Sequence, residues 1–307
     1  MLNGNPNTKN ALLIENFSKM PKAKNNGEFA KSSLMINPTN QKHLEKLALI
    51  DTGIAVINLE DGVADSKKEE ALFAAAAALS SLQNSKAAMC IRTNPIDSPY
   101  FPLEMEIINI VRPDAIRIPK IRNKNELLKI EEMLSPSIDI HVTIETKEAF
   151  HEIRELKTSN RVTTLFLGAI DLLEDLGLGS WMIDTKSDTL KYIMSKFIVD
   201  SKSFGFKPVS FVWQAYEDMD GFESWLEIEK NMGFEAKACI SPTQAKKANE
   251  FFAPSKDSID EALYIKNIFE KNEALGIGGF KDERFGFIDA PIYKNAILTL
   301  KKAGIVL

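Results

Sequence analysis

Eight short runs of apolar and β-branched residues, each followed by a stretch of helical period, divide residues 33–252 into repeated βα units. The runs Ser33 to Asn37, Gly53 to Leu59, Ala87 to Arg92, Ala115 to Pro119, Asp139 to Ile144, Val162 to Leu167, Pro208 to Val212 and Ala238 to Ile240 predict strands. Helices are expected between them, among them Lys67 to Leu82, Glu126 to Met133, Lys147 to Leu156, Gly221 to Met232 and Thr243 to Phe252. Alternation of this kind implies a parallel sheet, and eight units in about 220 residues match the size of a (β/α)8 TIM barrel. A doubly wound open sheet is the alternative. No Gly-x-Gly-x-x-Gly follows the first run to support a dinucleotide site in such a sheet. The expected organisation is an N-terminal extension over residues 1–30, the barrel over 31–254, and C-terminal helices with a lid over 255–307.

In such a barrel the catalytic side chains come from the carboxyl ends of several strands. Those ends are polar throughout. The first run ends at Asn37, the second enters Glu60 and Asp61, the third ends in Arg92, Thr93 and Asn94, and the fourth in Lys120. Glu145 follows the fifth, Gly168 and Asp171 the sixth, Gln214 the seventh and Ser241 the eighth. One strand ending at a polar turn means little. Charged residues at the ends of five strands would converge on one mouth.

Glu145 and Asp171 stand on successive strand ends, so both carboxylates can reach one hard cation, with the open positions that suit Mg²⁺. The competing reading makes them solvated acids at helix N-termini. Arg92 stands out because the chain prefers Lys and carries seven arginines, of which Arg92 is the first. A guanidinium fork grips a carboxylate in two bonds, a task Lys does poorly.

Composition excludes several classes of function. A net charge of -5 with no basic tract argues against nucleic acid as a partner. No stretch reaches the roughly 18 apolar residues needed to span a bilayer. The apolar run Ala11 to Ile14 is too short for a signal sequence, so cytoplasmic residence is expected. Cys90 and Cys239 lie in separate apolar segments without ligand-spaced neighbours, and both are expected as buried thiols.

The ordered motifs carry a resemblance. They are Leu59-Glu60-Asp61-Gly62-Val63-Ala64 with Lys67 and Lys68, Ile91-Arg92-Thr93-Asn94-Pro95, Ile118-Pro119-Lys120, Ile144-Glu145-Thr146 and Gly168-Ala169-Ile170-Asp171-Leu172. Asp175-Leu176-Gly177, Gly233-Phe234-Glu235-Ala236-Lys237, Ile240-Ser241-Pro242-Thr243-Gln244, Phe252-Ala253-Pro254-Ser255 and Asp289-Ala290-Pro291 complete the series. With these motifs, from about Ser33 to Ala303, the chain resembles the citrate lyase β-subunit-like proteins of the HpcH/HpaI aldolase superfamily.

The resemblance implies a cytoplasmic Mg²⁺-dependent carbon–carbon lyase, with Glu145 and Asp171 on the metal and Arg92 beside a 2-oxo acid carboxylate. Glu60, Asp61 and Asp289 are the further catalytic candidates, and Asn94, Lys120, Gly168 and Ala169 the substrate-binding ones. Lys120 is alternatively expected in an ion pair with Glu60 or Asp61. Departures from the family pattern fall at Lys31 or Ser32, Thr39, Asn58, Ala236 and Ser241, on the rim where the phosphates of an acyl-CoA would lie. Three functions follow: a lyase acting on a hydroxyacyl-CoA or other acyl thioester, a CoA-independent 2-oxo acid aldolase with an aldehyde or sugar partner, or a binding protein that kept the fold. The tail is expected as helices from Ser255 to Leu275 and Pro291 to Ala303, joined by a mobile glycine loop at 276–280. By the same resemblance the protein would form a homotrimer or a dimer of trimers, with Asp289 entering a neighbour's site. Alternatively Asp289 only caps the last helix.

Overall fold

A computed structural model describes residue 27, residues 29–82 and residues 85–305, so the expected extension over residues 1–30 lies almost wholly outside the described residues. The eight expected strands are present: β1 (Ser32–Ile36), β2 (Ile54–Asn58), β3 (Ala88–Arg92), β4 (Ala115–Ile118), β5 (Asp139–Ile144), β6 (Val162–Leu167), β7 (Lys207–Val209) and β8 (Lys237–Cys239). They pair in parallel in the order β7-β6-β5-β4-β3-β2-β1-β8. Closure between β7 and β8 rests on one bridge, Ser210 to Lys237. Glu229 fastens that seam from the helix between the two strands, accepting from Ser210 Oγ at 2.6 Å and pairing with Lys237 Nζ, both fully buried.

The helices are α1 (Gln41–Glu45), α2 (Lys68–Ser81), α3 (Phe101–Val111), α4 (Lys124–Met133), α5 (Lys147–His151), α6 (Ala169–Asp175), α7 (Asp188–Ser203), α8 (Met219–Met232) and α9 (Pro242–Phe252). Strand periodicity of two sorts the core into two layers. Ala55, Ile57, Met89, Ile91, Ile116, Ile118, Val142 and Leu165 pack outward against the helices. Ile54, Val56, Ala88, Cys90, Ala115, Phe166 and Val209 pack inside the barrel. Both thiols are buried as expected, and burial raises their pKa values. No described helix is long and apolar enough to cross a membrane.

The chain divides into a barrel unit ending at Asn249 and a second unit from Glu250. In the second unit α10 (Lys256–Glu273) and α11 (Ala290–Lys302) enclose a small core of Ala262, Ala296 and Leu300. The glycine segment expected as a flexible loop instead leads into a hairpin, β9 (Gly279–Asp282) and β10 (Gly286–Asp289). The Asp282 carboxylate builds its turn by accepting the N–H groups of Arg284 and Phe285, each at 2.9 Å. Tyr264 donates to the same carboxylate at 2.8 Å.

Candidate active site

The strand ends open on a cavity of about 400 Å³, lined among others by Asp61, Arg92, Arg117, Glu145, Gly168 and Asp171. Glu145 follows β5 and is 2% exposed. One carboxylate oxygen accepts the Lys120 N–H at 2.7 Å, and the other lies 3.8 Å from an Arg92 terminal nitrogen. Burial raises the Glu145 pKa, with Arg92 opposing and Asp171 reinforcing the shift. Gly168 is required by this packing: a Cβ there would stand 2.6 Å from the Glu145 Cβ and 2.9 Å from its carboxylate. Asp171 lies in the first turn of α6 on the neighbouring strand end.

Among the described residues no three His, Cys, Asp or Glu side chains cluster tightly enough to hold a metal. The fit is therefore to a cation content with two hard carboxylate oxygens and with water or substrate at its other positions. That is the habit of Mg²⁺. A dication there would also relieve the mutual repulsion of Glu145 and Asp171.

Arg92 is 6% exposed at the end of β3 and faces three carboxylates. Its guanidinium pairs with Glu60, reaches Asp61 at 3.4 Å and lies 3.8 Å from Glu145. Desolvation, opposed by Arg92, moves the Glu60 pKa from 4.5 up to about 7. A raised carboxyl favours the folded state below its unfolded value and loses that contribution as pH rises through the folded one. In metal-free buffer, stability should therefore fall between about pH 4.5 and 7. Glu60→Gln should flatten the dependence, and melting temperatures across that range check it; equal slopes in both proteins would refute the assignment.

The Leu59-Glu60-Asp61 turn is held from behind. Lys68, 7% exposed, donates to the carbonyls of Leu59 and Glu60 at 2.8 and 2.7 Å and to Asn94 Oδ1 at 2.8 Å. Asn94 also donates to Leu59 O and Glu104, so its side chain is committed to buried bonds rather than presented to the cavity as expected.

The expected ion pair of Lys120 with Glu60 or Asp61 is replaced by one with Asp171, at 3.2 Å. Lys120 adopts a left-handed backbone, φ 56°, which a non-glycine residue takes at a cost of about 1 kcal/mol. That turn gives Glu145 the Lys120 N–H and carries the ammonium group toward Asp171. Ala169 lines the cavity with Gly168. Asp289, in the second unit, caps α11 by accepting the Ile292 N–H at 3.2 Å.

Two ionisable cavity residues were not singled out from the sequence. His43 belongs to α1 and bonds Asn40 at 3.1 Å. Arg117 points into the barrel from β4, where it shares parity with inward-facing Ala115. Its place among apolar neighbours was the available signal.

A family model for "HpcH/HpaI aldolase/citrate lyase" matches residues 31–242. The mouse (Mus musculus) mitochondrial citramalyl-CoA lyase is 26% identical over 290 residues, covering 87% of this chain and 84% of that protein. A (3S)-malyl-CoA thioesterase of Cereibacter sphaeroides is 25% identical over 248 residues, 81% of this chain and 86% of the relative. A solved structure of Mycobacterium tuberculosis CitE, described as a complex with magnesium, acetoacetate and coenzyme A, shares the fold with a TM-score of 0.70 at 20% identity, over 89% of this chain and 97% of that one. Since the matched segment takes in all eight barrel strands and every barrel residue of the candidate site, the chain belongs to the HpcH/HpaI aldolase/citrate lyase family.

Proposed function

We propose that this protein is a Mg²⁺-dependent carbon–carbon lyase that cleaves a hydroxyacyl thioester or a related 2-oxo acid-derived substrate by way of an enolate. The observation that carries the proposal is that Glu145, Asp171 and Arg92, from three strand ends, line one cavity. Glu145 and Asp171 would hold the cation. When bound, Mg²⁺ supplies fixed positive charge where a carbonyl or hydroxyl oxygen gains electron density.

The chain's own groups do the rest. Arg92 grips the substrate carboxylate and adds a second cation beside the reacting carbons. Asp61, two-thirds exposed at the cavity wall, takes the hydroxyl proton during cleavage and returns it in the reverse direction. Glu60, with a pKa of about 7, can exchange protons near neutrality while pairing with Arg92. Lys120 covers Asp171, and no Schiff base is required of it.

A CoA-independent aldolase is the second reading, and the rim favours it at two points. Thr39 turns its hydroxyl and its N–H onto the Asn37 carboxamide at 2.7 and 2.9 Å, closing the end of β1 on itself. Ser241 spends its hydroxyl on the Gln244 N–H at 3.2 Å, as a cap for α9. A thermal-shift series with 2-oxo acids and acyl-CoAs, with and without Mg²⁺, tests both. A ligand at 100 times its Kd should stabilise by about 2.7 kcal/mol, a shift of about 4 °C for a chain of this length. A Mg²⁺-dependent shift with an acyl-CoA supports the thioester reading, and one with 2-oxo acids alone supports the aldolase. No Mg²⁺-dependent shift with either class would remove the lyase reading.

A further inference from the structure

The barrel interior beneath the cavity contains a cation that the chemistry above does not use. Arg117 is 5% exposed, on a strand whose inward neighbours are apolar, and it lines the cavity. Buried arginines are rare unless paired. Arg92 shows the usual solution, with three carboxylates around one guanidinium. Arg117 has no ion pair among the described residues. Its Nε donates to Thr143 Oγ1 at 2.8 Å, and its guanidinium carbon lies 4.1 Å from the centre of the Phe166 ring. Neither terminal nitrogen forms a hydrogen bond among the described residues.

We propose that Arg117, the cross-strand neighbour of Arg92, forms a second anion subsite on the cavity floor, which takes a second carboxylate of the substrate beside the one that Arg92 grips. Thr143 and the Phe166 ring fix the plane of the guanidinium, leaving its two terminal nitrogens as a fork of the shape a carboxylate fills in two bonds. Burial, followed by the charge of Arg92, moves the Arg117 pKa down to about 9, so the group remains charged at neutral pH without an ion pair among the described residues. Glu145 and Glu60 favour its charged form without forming an ion pair with it. Packing alone gives no reason for the residue, because Met would fill similar volume among Cys90, Ala115 and Phe166 without a desolvated charge. A cavity of about 400 Å³ accommodates a small diacid. The ligand class is thus a dicarboxylate, and Arg117 is a specificity-determining residue.

The orientation of that diacid rests on the proposed lyase reading, whereas the subsite itself does not. Calorimetric titration separates the two. With Mg²⁺ present, 2-oxoglutarate and 2-oxopentanoate differ only in a distal carboxylate against a methyl group. The wild-type protein should prefer the diacid by on the order of 10-fold to 100-fold, as expected of one charge-assisted grip. Arg117→Met should bring that ratio close to one, and Arg117→Lys should leave an intermediate value. A parallel titration with glutarate in EDTA probes the subsite without metal, and wild type should bind at least on the order of 10-fold more tightly than Arg117→Met. If 2-oxo acids fail to bind with Mg²⁺ but glutarate in EDTA still distinguishes the proteins, the lyase reading falls and the subsite stands. A wild-type ratio near one, a preference that survives Arg117→Met, or glutarate binding indifferent to Arg117 would overturn the subsite. Should Arg117→Met not fold, the wild-type ratio and Arg117→Lys decide the matter.

Discussion

Glu145→Gln and Asp171→Asn are each expected to weaken Mg²⁺ binding by on the order of 100-fold or more and to abolish most turnover while leaving the barrel folded. The magnitude follows from comparison: losing a residue that merely orients a metal ligand costs roughly 10–100-fold, and here a charged ligand itself is lost from a site with only two. The fold should survive for local reasons. Gln at 145 keeps an oxygen for the Lys120 N–H, now accepted at 2.7 Å, and its amide occupies the same cradle against Gly168. It also removes a buried charge whose desolvation raises its pKa. Asn at 171 loses the ion pair with Lys120, which is more than a third exposed on both sides and contributes little. Calorimetry with Mg²⁺ and a thermal melt of each variant provide the check. Unchanged metal affinity in both, with normal melting, would mean that these carboxylates hold no metal and that the lyase reading lacks its cation.

The architecture was legible because each βα unit carries its own period. Seven of the eight strands lie within one residue of their expected limits, and β7 ends three residues early, at Val209 rather than Val212. The rule that chemistry gathers at the carboxyl ends of strands then brought out Arg92, Glu145 and Asp171, which share a cavity. Contacts that depend on the curvature of the barrel mouth were not legible. The sequence offers Glu60 or Asp61 as a partner for Lys120, but its left-handed turn carries it to Asp171. Asn94 stands in a motif with Arg92, but the strand ends at Arg92, and beyond it the chain turns the Asn94 side chain to a buried bond with Glu104. The β9–β10 hairpin was hidden by its glycines, because the signal for order there is the Asp282 side chain in the turn.

Arg92→Lys is expected to be nearly as damaging as Arg92→Ala, each lowering kcat/KM by on the order of 100-fold to 1,000-fold, the range for losing one fixed donor at a developing charge. The geometry explains why keeping the charge does not suffice. The Arg92 guanidinium is shared between Glu60, Asp61 and Glu145, from β2 and β5 on either side of its own strand and the next. A planar fork can hold Glu60 while another edge faces the cavity. An ammonium group is a compact point charge, and its shorter reach would commit it to the buried Glu60 and leave the substrate carboxylate with one bond or none. Stability separates the two variants even though activity does not. Arg92→Ala strands Glu60 as a buried carboxylate without its cation, which should cost on the order of 3 kcal/mol unless Glu60 takes up a proton. A pKa already near 7 makes that protonation easy, so the destabilisation of Arg92→Ala should be largest in alkaline buffer and shrink below neutrality. Arg92→Lys should show little of this pH dependence. Steady-state kinetics with the substrate class found by thermal shift, together with melts of both variants on either side of neutral pH, decide the case. A Lys variant that keeps most of its activity would make Arg92 a structural partner of Glu60 and leave the carboxylate grip to Arg117.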